Sequence, residues 1–360
     1  MKYGKPAIAA LLLGTSLIAS SCQERGGIDG FFPKADRPIT PEIVKKMKTK
    51  GMATSAPILA RIFKEENVLE IWKETASGRY DLLETFEICK WSGKLGPKIQ
   101  EGDRQAPEGF YTVNPYQMNP KSDYYLSFNM GFPNTYDRAL GRTGTHLMVH
   151  GACSSAGCYS MTDEQIADIY ALARESFKGG QKNFQIQAFP FRMTPENMAR
   201  HRDDPNFAFW QMLKEGSDHF EITRVPPKIN VCDKRYVFNR IAEDEKDFRA
   251  DKQCPETTTP ETLTLAYAEK QTKDEKAFEE AIRKLAFKEM VKANILAAQG
   301  ASATGGETAF ASVQAEAAID DDAVTRSPGE IPVPQKAPRA TAEPQPKKRG
   351  FFAWLTGAKS

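Results

Sequence analysis

Two side chains in this chain of 360 residues are spaced for acyl-transfer chemistry: Cys158 and His150, eight positions apart in the stretch HLMVHGACSSAGCYSMT. A thiol that attacks an amide carbonyl must lose its proton, and the departing amine must gain one, so an imidazole near the sulfur serves both steps. Ala156, Gly157 and Cys158 supply backbone amides that small side chains leave open to a developing oxyanion. Thr162 and Gln165 form a capping box, and Met161 is placed to staple onto Ile166, which predicts a helix starting just after the thiol. Amides and the positive end of a helix dipole would favour a thiolate there. Other chemistries use the same residues. Cys158 could be a buried free thiol or pair with Cys153 across a C-x4-C turn, and His146, His150, Cys153 and Cys158 together offer four soft ligands of the kind zinc takes. The two cysteines are not C-x-x-C, so the expected site holds no metal and calls for no cofactor. His146 competes with His150 as base, but no glycine follows it, and it reads as structural.

A strand must deliver His150. The apolar run Leu147, Met148, Val149 does so, and the Ser, Ala and Gly residues that follow read as a turn. Before it, periodicity predicts strands near residues 62–63, 68–72, 80–91 and 110–113. The cleanest is 124–130, where Tyr124, Leu126, Phe128 and Met130 alternate with Tyr125, Ser127 and Asn129. After it, Ile166, Ile169, Tyr170, Ala173 and Phe177 mark one face of a helix ended by Gly179 and Gly180. A strand at 184–189 and helical pieces at 196–202 and 206–214 complete the unit. The reading is mainly β with α: a β-rich catalytic domain over 58–227 with a helix after the cysteine, then an extension over 228–299 with a long helix from 261, and a disordered tail over 300–360. Cys232 and Cys254 are expected to pair within the extension, leaving Cys158 reduced.

The block His150-Gly151 followed by Ser155-Ala156-Gly157-Cys158 resembles the L,D-transpeptidase catalytic (YkuD) domain, whose motif is His-Gly, an insert, then Ser/Thr-His-Gly-Cys. Three positions depart from it: the insert is only Ala152 to Ser154, Ala156 replaces the second His, and Ser160 replaces the usual Arg. These departures are similar to the YafK-like branch. So are the ordered blocks Ser92-Gly93-Lys94-Leu95-Gly96-Pro97-Lys98, Pro107-Glu108-Gly109-Phe110-Tyr111, Phe132-Pro133-Asn134 and Phe189-Pro190-Phe191-Arg192-Met193-Thr194. The resemblance implies Cys158 as nucleophile and His150 as base, with a backbone carbonyl near Gly151 orienting the imidazole. It also implies peptidoglycan stem peptides as partners, with or without covalently attached envelope protein. Arg138, Arg142 and Arg192 become candidates for holding substrate carboxylates. A shortened insert should open the groove over a thioester, which favours hydrolysis of protein–peptidoglycan links over crosslinking.

Bulk charge excludes one class: 49 Lys and Arg against 47 Asp and Glu leave no field for holding nucleic acid. The N-terminus reads as an export signal over residues 1–21, with Lys2 and Lys5, an apolar run from Ala7 to Ile18, and Ala19-Ser20-Ser21 before the cut. Two readings share that bond: a lipoprotein box with Cys22 acylated, or ordinary cleavage with Cys22 free or paired. Either places the protein outside the cytoplasm, in a bacterial periplasm, with a lipid anchor to the outer membrane under the first. Residues 22–57 read as a polar tether with a short basic helix. A non-catalytic, anchored wall-binding module is the remaining alternative, separated by whether Cys158→Ala keeps the biological effect.

Overall fold

The computed structural model describes Met1 and residues 32–243 and 247–302. The chain runs α1 (Pro41–Thr49), β1 (Ile58–Phe63), β2 (Val68–Glu74), β3 (Tyr80–Glu87), β4 (Lys90–Trp91), β5 (Gly109–Val113), β6 (Met118–Asn119), β7 (Ser127–Asn129), α2 (Thr135–Ala139), β8 (Met148–His150), β9 (Tyr159–Ser160) and α3 (Asp163–Lys178). It continues through β10 (Phe184–Phe189), α4 (Pro195–Arg200), α5 (Phe207–Thr223), the hairpin β11 (Ile229–Cys232) and β12 (Arg235–Phe238), and α6 (Glu261–Ser302). One sheet has the order β3-β2-β1-β10-β5, and the other β4-β9-β8-β7-β6. Within them only β1/β10 and β8/β9 run parallel.

The first core fills the space between the sheets and α3. Ala60, Ile62, Leu69 and Ile71 from one sheet meet Leu126, Phe128, Val149 and Tyr159 from the other, with Ile166, Ile169 and Ala173 of α3 joining them. The second core lies on the far face of the first sheet, where Phe63, Phe110 and Phe189 pack on Trp210 and Leu213 of α5 and on Tyr236 and Phe238 of β12. β1 is therefore buried along its whole length, as expected for a strand covered on both faces. Some polar groups caught there are partnered: Lys64 pairs with Glu108 at 2.9 Å, and Glu108 also accepts from Trp210 Nε1, whereas Arg61 Nε on β1 and Gln187 Oε1 on β10 have no partner among the described residues.

Several expectations change. Part of the stretch read as a tether belongs to the fold, because Ile39, Ile43, Met47 and Met52 are buried in the first core and Arg174 donates to the carbonyls of Ala35 and Arg37. The strand expected over 124–130 shrinks to β7, since Tyr125 takes a left-handed φ of 65° that breaks the extended run. α5 runs to Thr223, well past the expected stop. The extension shares the second core with the preceding domain. A Cys232–Cys254 disulfide ties the segment that follows the hairpin back to it, and α6 is tied to α5 by Asp274 on Lys214. With α3 to α6 included the architecture is mixed, a β-rich catalytic unit carrying a long C-terminal helix. The export signal, Cys22 and residues 303–360 lie outside the described residues. Among the described residues no helix is long and apolar enough to cross a membrane.

Candidate active site

β8 and β9 are neighbouring strands, with His150 ending the first and Cys158 just before the second. In their parallel register Val149 faces Tyr159 and His150 faces Ser160. Val149 and Tyr159 both point into the core. Alternation along a strand then places Met148, His150, Cys158 and Ser160 on the opposite face, with His150 diagonal to Cys158 across adjacent strands. The sulfur is half-buried and lies 3.4 Å from the Met148 amide and 3.7 Å from the His146 carbonyl. His146 precedes β8 at a left-handed φ of 56°, and its exposed ring takes no part in these contacts.

The imidazole of His150 is buried and held from two sides. Its Nδ1 lies 2.6 Å from the carbonyl oxygen of Gly151, and the Tyr124 ring sits 4.7 Å from it, centroid to centroid. A carbonyl can only accept, so that contact assigns the proton to Nδ1 and leaves Nε2 as the basic atom. Burial also lowers the pKa of His150, which favours its neutral form. Gly151 is dictated by crowding: a Cβ there would come within 2.5 Å of Asp163 Oδ1 and 2.9 Å of the Tyr124 carbonyl. Asp163 Oδ1 in turn accepts from the Ala152 amide at 2.8 Å.

Burial pushes the Cys158 thiol up, opposed by the Met148 amide and, more weakly, by the charge of Lys98. This corrects the expected effect of the helix start. The capping box at Thr162 and Gln165 is present, but β9 stands between the thiol and α3, and two acidic residues, Asp163 and Glu164, occupy the first helical turn. Burial thus favours the neutral form of both groups, the thiol of Cys158 and the imidazole of His150.

The turn between them follows from small residues in unusual conformations. Ala152 and Cys153 are left-handed, at φ 61° and 46°, and Gly157 sits at φ 125°. Ser155 Oγ donates to the Cys158 carbonyl at 2.7 Å and lies 3.2 Å from Ser92 Oγ. The Gly157 amide is turned towards Ser155 Oγ at 3.4 Å, while among the described residues the amides of Ala156 and Cys158 have no acceptor. Cys153 is bonded to Cys89, so it cannot serve the four-ligand zinc set or bridge Cys158. Among the described residues no group of three or more His, Cys, Asp or Glu is arranged to hold a metal.

The three arginines separate. Arg142 is buried against Asp137 at 2.9 Å and stacked on Tyr136 and Phe209. Arg192 pairs with Glu70 at 2.5 Å over the Phe63 ring. Arg142 is engaged inside the fold, whereas Arg192 is paired yet keeps nearly half of its side chain in solvent. Arg138 is exposed and lines a cleft of about 550 Å³ with Thr112, Gln117, Gln185 and Lys228, which neither His150 nor Cys158 lines. The sequence reading missed Tyr124, Asp163 and Lys98 as neighbours of the site. Only Lys98 had a signal, at the end of the Ser92 block.

The β8–β9 ladder with its His-Gly and Cys defines an L,D-transpeptidase-type catalytic unit, and residues 59–181 match the L,D-transpeptidase catalytic (YkuD) domain. The chain is 44% identical over 201 residues to the putative L,D-transpeptidase YafK of Escherichia coli strain K12, covering 56% of this chain and 80% of that protein; the protein of the same description from E. coli O157:H7 matches equally. The chain belongs to the L,D-transpeptidase family. Among solved structures, the helical cell shape determining protein Pgp2 of Campylobacter jejuni aligns at 17% identity and a TM-score of 0.30, over 53% of this chain and 80% of that one. Bd1075 of Bdellovibrio bacteriovorus aligns at 13% and 0.26, over 53% and 89%. Superposition at that level carries no argument about function.

Proposed function

We propose that this chain is an exported enzyme that opens amide bonds to peptidoglycan stem peptides through a thioester on Cys158, and that hydrolysis of links between the wall and attached protein is its main reaction. The observation that carries this reading is the placement of His150 and Cys158 on one strand face, with Nδ1 of the imidazole held by Gly151. In the first half-reaction His150 Nε2 takes the thiol proton while Sγ bonds to the carbonyl carbon. The oxyanion is received by amides of the turn, with Ala156 and Cys158 the donors that have no acceptor among the described residues. The C–N bond then breaks, and the amine leaves with the proton from His150. In the second half-reaction His150 takes a proton from water, hydroxide adds to the thioester, and the carboxylate leaves as the thiol is restored. A second stem-peptide amine in place of water would make a crosslink.

The preference for water rests on the short turn, with Ala152, Cys153, Ser154 and Ala156 exposed, and on Ala156 and Ser160 standing where the family's usual motif has His and Arg. Attachment through an acylated Cys22 would hold the site beside the wall in the periplasm, and intact mass of membrane-extracted protein reads that directly. The reaction is tested by giving the enzyme both a protein-linked muropeptide and a free tetrapeptide donor with an amine acceptor. Release of the protein with a new carboxylate is expected. Efficient crosslinking with the protein link intact would reverse the preference.

A further inference from the structure

The loop from Gly151 to Cys158 has an unusual task. It joins two parallel neighbours, β8 and β9, with eight residues, where such connections ordinarily need a dozen or more. It must double back along the strand within that length, and it turns through the left-handed pair Ala152 and Cys153. Non-glycine residues hold that conformation only where their surroundings impose it. The non-covalent holds are the Ala152 amide on Asp163, the Cys153 amide on the Met161 carbonyl at 3.2 Å, and the Ser155 hydroxyl near that of Ser92. The covalent hold is the disulfide from Cys153 to Cys89, and Cys89 is itself fixed by its amide on the Ser160 carbonyl at 2.9 Å, beside β9. Ala152, Cys153, Ser154 and Ala156 are exposed, so core packing does not replace this hold.

The two disulfides among the described residues are placed differently. Cys89 and Cys153 are both exposed, whereas Cys232 is fully buried and Cys254 half-buried. An attacking thiolate needs access to a sulfur, so the Cys89–Cys153 bridge is the one a reductant reaches first.

We infer that the Cys89–Cys153 disulfide is a positioning device for the Cys158 thiol, and that it makes the activity dependent on redox state. A dithiol reductant opens it by thiolate attack on one sulfur, giving a mixed disulfide that the second thiol resolves. The dithiol gives up two electrons and becomes a disulfide, and Cys89 and Cys153 are left as thiols. The loop then relaxes from its left-handed turn, Cys158 leaves its half-buried seat against the Met148 amide, and turnover falls while both cores stay packed. The inference rests on the proposed role of Cys158, and part of its test does not.

The experiment compares the oxidised full chain, the chain poised in a dithiothreitol series, and Cys89→Ser/Cys153→Ser, which keeps Cys232–Cys254 intact. Three quantities are read: kcat and KM on protein-linked muropeptide, the pH dependence of Cys158 alkylation by iodoacetamide, and the melting curve. The bridge-free forms should stay folded, with kcat lowered about tenfold or more and KM changed far less. Their Cys158 should alkylate faster at neutral pH, because a thiol released from burial titrates lower. Alkylation and turnover moving in opposite directions is the signature of positioning. Unchanged kcat and alkylation without the bridge would overturn the inference, and so would a bridge-free chain that is unfolded at assay temperature. If the oxidised chain turns over no muropeptide, the functional reading fails, while the alkylation profiles still decide whether the bridge seats the thiol.

Discussion

The carbonyl oxygen of Gly151 lies 2.6 Å from Nδ1 of His150, so the residue that follows the base in sequence also fixes its tautomer. No carboxylate is needed for that task. Because burial depresses the imidazole, its neutral form survives to lower pH than for an ordinary histidine. The acid limb of kcat/KM should therefore fall below the ordinary histidine value of about 6.5, and the raised thiol should keep the plateau flat beyond about pH 8.5. A pH–rate profile checks both limbs. An acid limb above neutrality would mean that a thiolate must form before attack, contrary to the neutral pair.

Gly151→Ala should harm both stability and rate. The new methyl would meet Asp163 Oδ1 at 2.5 Å and the Tyr124 carbonyl at 2.9 Å, neither of which is the free end of a flexible chain. Overpacking of this kind costs about 1–3 kcal/mol, and a shift of the Gly151 carbonyl would unseat the base, for about a hundredfold loss of kcat. Melting curves and steady-state kinetics on the variant give both numbers. A variant with wild-type kcat would show that the His-Gly pair does not position the ring.

Arg138 and Arg142 should respond oppositely to replacement by Met. Losing Arg142 strands the fully buried Asp137 carboxyl, already pushed up by burial, and should destabilise by about 3–5 kcal/mol. Arg138 is exposed, and Arg138→Met should stay within about 0.5 kcal/mol of the parent. If its cleft receives a substrate carboxylate, KM rises with kcat little changed. Equal stability losses for the two variants would contradict this division.

How far the chain could be read without its structure depended on whether the information was local. The α3 cap at Thr162 and Gln165, its end near Gly179, and the short-range Cys232–Cys254 pair are set by residues close in sequence, and they are present. The pairing of Cys89 with Cys153, 64 positions apart, and the burial of Ile43 and Met47 depend on which strands neighbour one another, which spacing does not encode. Tyr124 to Met130 alternated like a strand, yet the Tyr124 carbonyl is used to hold the Gly151 amide at 3.0 Å and Tyr125 turns left-handed. Arg142 and Arg192 looked like substrate anchors because sequence shows a charge and hides its partner. At the site, the strand that carries His150 and the capped helix after Cys158 were legible, and the balance of burial against dipole at Cys158 was not.

Stability should carry an opposed pair of pH dependences between α5 and α6. Burial raises Glu215 to about 7 and lowers His219 to about 4. The Glu215 carboxyl binds its proton more tightly folded than unfolded, so its contribution is present at low pH and is lost as pH rises from about 4.3 to 7. His219 runs the other way: its contribution is lost as pH falls from about 6.5 to 4. Glu215→Gln should thus gain on wild type as pH climbs, by on the order of 2 kcal/mol between pH 5 and 8. Denaturant midpoints at the two pH values measure it. The same difference at both would remove Glu215 from the account.

The central claim is that Cys158 becomes acylated during turnover. The most direct measurement is rapid acid quench of enzyme mixed with protein-linked muropeptide, followed by peptide mass spectrometry without thiol reagents. The account predicts a stem-peptide acyl group on the peptide that contains Cys158. It should appear in the same interval as the released protein and decay as the free carboxylate accumulates. It should be absent from Cys158→Ala, which should also release no protein. Release of protein by Cys158→Ala, or turnover by wild type with the acyl group found on another residue, would contradict it.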